Sequence, residues 1–287
     1  MGRPIVYIDG KEGTTGLQIY DRLAAREDIE LLLIDEAKRK DTAERKKLLN
    51  EADLVFLCLP DAAAVEAVGL IENHRTRVID CSTAHRTAEG WAYGFPELHG
   101  QREAIRGAKR VANPGCHATG FISIVYPLAA MGLLPRDAAL SCFSLTGYSG
   151  GGKSMIAQYE QEHRSPAFSS PALYGLLQNH KHLPEMKAVC GLEKMPVFVP
   201  IVDDYYKGMA GTVPFHMGDL RGVSTLHEVW EKFRRYYVEA AGDGGIVRVE
   251  MDPTDPESGM DSGFTIYSNM LRGKDFLSLI IAGHDER

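Results

Sequence analysis

Cys116 lies within Asn113-Pro114-Gly115-Cys116-His117-Ala118-Thr119-Gly120, between a strand-like run at Arg110, Val111 and Ala112 and the apolar stretch Phe121 to Val125. Pro114 and Gly115 end the strand and the following pattern can run as a helix, so the sulfur is expected among unpaired N–H groups of a first helical turn. The positive end of a helix dipole favours the thiolate, which makes a weak thiol a usable nucleophile near neutral pH. Such a nucleophile needs proton transfer. Asn179-His180-Lys181-His182-Leu183-Pro184-Glu185 offers two imidazoles that titrate near working pH. Pro184 disfavours the α region at Leu183, so an extended segment is expected before a helix starting near Pro184, with His180 and His182 pointing the same way. A pair of surface histidines is another reading, and a metal site lacks a third ligand nearby. Glu160 and His163 have the i, i+3 spacing of a helical metal half-site without a second half, and read as a solvated face. No metal is expected.

Two glycine-rich turns have the composition for anions. Gly10-Lys11-Glu12-Gly13-Thr14-Thr15-Gly16 separates a short apolar strand from a helical pattern. Its glycines would let the backbone approach a pyrophosphate, the helix N-terminus would supply N–H donors, and Thr14 and Thr15 would add hydroxyls. Asp35 stands nineteen residues beyond Gly16, where a carboxylate would meet a ribose hydroxyl, while Lys38, Arg39 and Lys40 would hold a 2′-phosphate. NAD and NADP both remain open on these residues. The second turn, Gly147-Tyr148-Ser149-Gly150-Gly151-Gly152-Lys153-Ser154, matches the pattern of a nucleotide triphosphatase loop. Pro200 would interrupt the strand leading to Asp203-Asp204, and that reading leaves Cys116 and Gly10 to Gly16 without a role. An anion site formed by backbone N–H groups and Lys153 is the better use of it.

Positioning these groups requires alternating elements. Strands are expected at Pro4 to Ile8, Leu31 to Ile34, Leu54 to Leu59, Val78-Ile79 and Val111, with helices at Leu17 to Leu23 and Ala62 to Ile71. That series makes a mostly parallel, doubly wound α/β sheet whose ligands sit at the C-terminal strand ends. The 287 residues, 44% hydrophobic and 25% charged, suit two globular domains. A net charge of −7 argues against a nucleic-acid binder. Five cysteines without framework or metal spacing suit a reducing compartment. No apolar run approaches a membrane span, so the cytoplasm is expected.

In order, Gly10 to Gly16, Ser82-Thr83-Ala84-His85-Arg86, Tyr93 to Leu98, Asn113 to Cys116, Gly147 to Lys153 and His180 to Glu185 resemble the short, type 2 form of the N-acetyl-gamma-glutamyl-phosphate reductases. His117 stands where that family usually has tyrosine. The resemblance implies a Rossmann-like NADP-binding domain at 1–115 and an α+β substrate domain of the semialdehyde-dehydrogenase type at 116–287. It also implies NADPH-dependent reduction of N-acetyl-L-glutamyl 5-phosphate through a Cys116 thioester, in arginine biosynthesis by a homo-oligomer, dimer or tetramer. His182 is the implied acid/base residue, with His180 second. Ser82, Gly150 and Gly151 join the glycine turn and Asp35 as implied cofactor contacts; Arg86, Lys153 and Glu185 are implied for the substrate. Aspartate-semialdehyde dehydrogenase and a lysine-pathway reductase share this chemistry. A cysteine hydrolase or a binding protein without turnover would differ by lacking nicotinamide binding. Family members continue beyond Phe276 to Ala282 through a further strand, loop and closing helix. The 287 residues are therefore expected to be an incomplete version that binds NADPH more weakly and is less stable.

Overall fold

The computed structural model describes residues 2–11, 13–241, 245–250 and 265–286; Glu12 of the first glycine turn lies outside them. Two compact units form, one of residues 1–95 with 103–114 and one of residues 96–102 with 115–287.

The first unit alternates β1 (Ile5–Asp9), α1 (Thr14–Ala24), β2 (Glu30–Leu32), α2 (Thr42–Glu51), β3 (Leu54–Leu57), α3 (Asp61–Gly69), β4 (Arg77–Asp80) and β5 (Ala92–Tyr93). It closes through α4 (Gln101–Gly107), whose first two residues group with the second unit, and β6 (Arg110–Ala112). The six strands are ordered β2-β1-β3-β4-β6-β5, and every pairing is parallel. Parallel strands are covered on both faces, so their residues read as nearly continuous apolar runs. Tyr7, Leu49, Val55, Leu57, Ala64, Ala67 and Val78 form the buried core. A charge is buried with them. Asp9, the last residue of β1, accepts from Arg45 of α2 at 2.9 Å (Nη2) and 3.2 Å (Nε) and from the Tyr7 hydroxyl at 3.4 Å. Burial first, and the Asp9 charge second, push the Tyr7 phenol up.

The second unit contains α5 (Cys116–Ala130), β7 (Ser141–Gly147), α6 (Gly152–Glu160), β8 (Ala172–Leu173), α7 (Leu183–Cys190), β9 (Val197–Asp203), β10 (Met209–Thr212) and α8 (Leu226–Ala241). β11 (Val247–Glu250) and β12 (Leu277–Ile280) form a separate parallel pair. The four-stranded sheet runs β10-β7-β9-β8, with β7 and β9 parallel and both outer strands antiparallel to their neighbours. Cys142, Ser144, Thr146, Phe198 and Val202 point into the core.

Three local expectations are corrected here. Pro200 does not interrupt β9; it lies opposite Ser144 in the ladder. Its carbonyl accepts from Tyr174 N–H at 3.1 Å on the β8 side. Its missing N–H faces that same side, so the β7–β9 ladder keeps its bonds and the lost donor falls at the end of the two-residue β8. His163 falls outside α6, which ends at Glu160, and no helical half-site with Glu160 exists. Finally, the segment before Pro184 is a turn rather than an extended strand. Leu183 N–H bonds His180 O at 3.0 Å and Leu183 already opens α7, because a closed turn outweighs the bias that Pro184 places on its neighbour.

Candidate active site

Cys116 is the first residue of α5, follows the N-cap Gly115 and is exposed. The first intrahelical bond runs from Thr119 N–H to Gly115 O at 2.8 Å, so the N–H groups of residues 115–118 have no partner within the helix. One of them has a partner from elsewhere: the carboxylate of Glu185, in the first turn of α7 and 1% exposed, accepts from Gly115 N–H at 3.1 Å. Glu185, expected at the substrate, thus holds the turn that presents the nucleophile.

Three imidazoles gather behind this turn. Ring centroids of His180 and His182 lie 4.7 Å apart, and His117 is 5.7 Å from the first and 5.6 Å from the second. His182 is buried at the N-cap position of α7 without a side-chain capping bond; His180 is half-buried, and its Nδ1 accepts from His182 N–H at 3.2 Å. A neutral ring with Nδ1 accepting carries its proton on Nε2, so His180 is set up as a donor.

His117 has a different task. Both ring nitrogens are engaged, Nδ1 with Ser144 Oγ at 2.7 Å and Nε2 with Tyr174 Oη at 2.8 Å. Burial, and then His180, push its pKa down to about 4, so it is neutral at working pH and a weak proton acceptor. Tyr174 is pushed up, by burial first and by the Cys116 charge second. The Ser144–His117–Tyr174 chain escapes a linear reading, since its members are brought together only by β7 and the segment after β8. An unfolded histidine takes up a proton near pH ~6.5 and His117 in the folded chain only near 4, so its contribution is complete above ~6.5 and is lost as pH falls toward 4. The loss totals about 3 kcal/mol. Denaturant titrations from neutral pH to pH ~4 are expected to show a shallower acid limb for His117→Phe; an acid limb of unchanged depth would contradict this account.

In the first unit, the glycine turn closes on itself. Gly10 has φ +87°, and a Cβ there would strike the Cys58 carbonyl; a Cβ on Gly16 would strike Gly10 O and meet Lys11 Cα and O at 2.7 Å. Gly13 is the N-cap of α1 with no side-chain cap, and α1 has no acidic residue in its first turn. Backbone donors in a helical first turn that holds no acidic side chain suit a pyrophosphate. Gly16→Ala is expected to force the turn open and weaken NADPH binding by about tenfold or more, read by fluorescence titration.

The other expected cofactor contacts are placed less simply. Asp35 is exposed beyond the end of β2 and caps a 3₁₀ turn by accepting from Ala37 N–H at 2.9 Å. Lys38 and Arg39 follow it on the surface, 3.7 Å from Glu44 and 3.4 Å from Glu36 respectively. Ser82 is buried and donates both N–H (2.9 Å) and Oγ (2.7 Å) to Asp80. Asp80 also bonds His85 Nδ1 at 2.6 Å, and His85 stacks on Trp91 at 4.0 Å. Asp80 was missed by sequence reasoning; a carboxylate ending a strand, with Ser and His two and five residues on, was its signal. Arg86 donates to Asn113 O at 3.0 Å and Cys81 O at 3.4 Å.

Gly150 and Gly151 belong to the second unit, in a 3₁₀ turn over Tyr148–Gly151. Tyr148 and Ser149 N–H already bond Tyr205 O and Tyr206 O at 3.0 and 2.9 Å, so these two donors are not aimed at a phosphate as in a triphosphatase loop. Lys153 is exposed at the start of α6.

Family models for the semialdehyde dehydrogenase NAD binding domain and dimerisation domain match residues 26–108 and 116–253. N-acetyl-gamma-glutamyl-phosphate reductase 2 of Nostoc sp. is 41% identical to this chain, covering 99% of it and 88% of the relative. The N-acetyl-gamma-glutamyl-phosphate reductase of Sinorhizobium medicae is 43% identical, with 99% and 89% covered. Among solved structures, aspartate semialdehyde dehydrogenase II of Vibrio cholerae has TM-score 0.68 at 14% identity, over 97% of this chain and 87% of that one. Aspartate semialdehyde dehydrogenase of Candida albicans has TM-score 0.63 at 15% identity, over 90% and 87%. At such identities these two structures show the fold alone.

Proposed function

This chain belongs to the N-acetyl-gamma-glutamyl-phosphate reductase family of semialdehyde dehydrogenases, and we propose that its chemistry runs through Cys116 at the start of α5. The reaction is the NADPH-dependent reduction of N-acetyl-L-glutamyl 5-phosphate to N-acetyl-L-glutamate 5-semialdehyde, with phosphate released, through a cysteine thioester in arginine biosynthesis. The observation that carries the assignment of the nucleophile is the exposed sulfur at the first position of a helix whose leading N–H groups have no intrahelical acceptor.

Cys116 sulfur attacks the acyl carbon, the C–O bond to phosphate breaks, and the N–H groups of the first turn of α5 stabilise the tetrahedral oxyanion. NADPH, when bound, supplies the hydride that reduces the thioester. Its pyrophosphate would be held by Gly10, Gly13 and Gly16 with the first-turn N–H groups of Thr14 and Thr15, and Lys38 and Arg39 beyond Asp35 would favour the 2′-phosphate. His182 is the acid/base residue and His180, with its proton on Nε2, the second donor. Arg86 and Lys153 are the cations for phosphate and carboxylate. Glu185 acts on the nucleophile turn rather than on the substrate.

The chain carries a dimerisation domain. Phe143, Leu173 and Val197 lie exposed on one face of the four-stranded sheet, with Leu176 and Leu177 in the segment after β8; this apolar face supports assembly as a dimer. Among the described residues no helix is long and apolar enough to cross a membrane. The cytoplasm suits its substrates and its reduced thiols.

The reverse reaction tests the reading. N-acetylglutamate 5-semialdehyde is expected to reduce NADP⁺ continuously with phosphate and for only a single turnover without it, because phosphate must release the thioester. Faster turnover of aspartate semialdehyde, or turnover independent of phosphate, would replace this reading.

A further inference from the structure

Cys58 and Cys81 have no part in this chemistry and follow the ends of adjacent strands. β3 and β4 run parallel with Leu57 opposite Asp80, so the next residues, Cys58 and Cys81, are also opposite one another. Cys81 N–H still donates to Leu57 O at 2.9 Å, which extends the ladder to this point. In-register residues share a face, and strands ~4.8 Å apart fall within the ~4.4–6.8 Å Cα separation that a disulfide spans. Both cysteines are free thiols, and they are joined by a hydrogen bond. That bond, and then burial, push Cys58 up. The same bond pulls Cys81 down, with Arg86 acting in the same direction against burial and Asp80. Two adjacent thiols, one of which eases deprotonation of the other, are the arrangement from which a disulfide forms once one sulfur is oxidised.

We propose that Cys58 and Cys81 form a reversible oxidation site, which hydrogen peroxide converts to a disulfide that weakens NADPH binding. Cys81 thiolate attacks one peroxide oxygen, the O–O bond breaks and hydroxide leaves, which makes Cys81 a sulfenic acid. Cys58 sulfur then attacks Cys81 sulfur; the S–S bond forms as the S–O bond breaks, and the hydroxyl leaves as water with the Cys58 proton. The two thiols are oxidised to one disulfide while peroxide is reduced to two waters. A dithiol reductant reverses the change by exchange.

Coupling to the cofactor comes from the other side of Cys58. Its N–H donates to Asp9 O at 2.8 Å, and its carbonyl carbon lies 2.9 Å from where a Gly10 Cβ would stand. Gly10 opens the glycine turn, so drawing Cys58 toward Cys81 displaces the backbone on which that turn is seated. This coupling rests on the reading of Gly10 to Gly16 as the cofactor cradle; the disulfide does not. It is reciprocal: the factor by which the disulfide weakens cofactor binding is the factor by which bound cofactor protects the thiols.

The experiment treats the full chain with hydrogen peroxide, with and without saturating NADP⁺, then alkylates free thiols and maps peptides without reduction. NADP⁺ is used so that the protecting ligand is not itself a reductant. The expected result is a peptide pair joined through Cys58 and Cys81, formed less in the presence of NADP⁺ and lost with dithiothreitol. The oxidised chain is expected to bind NADPH about tenfold more weakly. Cys58→Ser and Cys81→Ser should each remove the cross-link and keep NADPH affinity under peroxide. Binding and mapping are read rather than turnover, because peroxide also reaches Cys116. Absence of the cross-link under peroxide sufficient to oxidise Cys116 overturns the proposal, as does a complete cross-link with unchanged NADPH affinity. Gly16→Ala in the reduced chain separates the two readings: unchanged NADPH affinity there removes the cradle and leaves the cross-link result standing.

Discussion

Cys116→Ser is expected to lower reduction by several orders of magnitude, roughly 10⁴-fold or more, while NADPH binds within a few-fold of the parent. The hydroxyl of serine sits in the same helix-terminal field, yet its pKa is far too high for that field to yield an alkoxide at working pH. The glycine turn belongs to a separate compact unit, so the substitution leaves it intact. Single-turnover kinetics with N-acetylglutamyl phosphate, alongside NADPH titration, measure both halves. Turnover by the serine variant within tenfold of the parent would end the assignment of the nucleophile.

Loss of the acid/base residue should be the next largest effect. Glu185 ties the first turn of α7 to Gly115, and His182 is the N-cap of that helix, whereas His180 stands two residues outside it. His182→Ala is therefore expected to lower turnover by about 10²- to 10⁴-fold and to remove one limb of the pH–rate profile. His180→Ala should cost less, because its loss removes a donor and leaves the cap residue in place. Equal losses in the two variants, or a complete profile in His182→Ala, would move the role to water or to His180. His117 is the weaker candidate, since burial holds its pKa at about 4 and both its nitrogens are engaged.

Much of the fold was legible along the chain because its signals are local. Apolar runs at Pro4 to Ile8, Leu54 to Leu59 and Val78-Ile79, separated by helical spacing, suffice for a parallel sheet. Glycines at 10, 13 and 16 mark a turn whose backbone leaves no space for a Cβ at the first and last of them. Pro114-Gly115 before Cys116 likewise places a thiol at a helix start through the conformations those two residues allow. These features depend on neighbours within a few positions, so sequence by itself determined them.

Tertiary structure decided what each side chain does. Glu185 meets Gly115 across 70 residues, His117 meets Tyr174 across 57, and Arg45 meets Asp9 across 36. None of these separations carries a periodic signal; each contact follows from sheet order and helix packing. The same cause explains the corrected elements. Pro200 is tolerated because its missing donor faces a two-residue strand, and Leu183 is helical because the turn at His180 closes around it. Cys58 and Cys81 are ordinary strand-end cysteines when read singly, and only the register of β3 with β4 makes them a pair. Residue types and turn chemistry set the available groups, whereas proximity in the folded chain sets which of them share a proton, a charge or a bond.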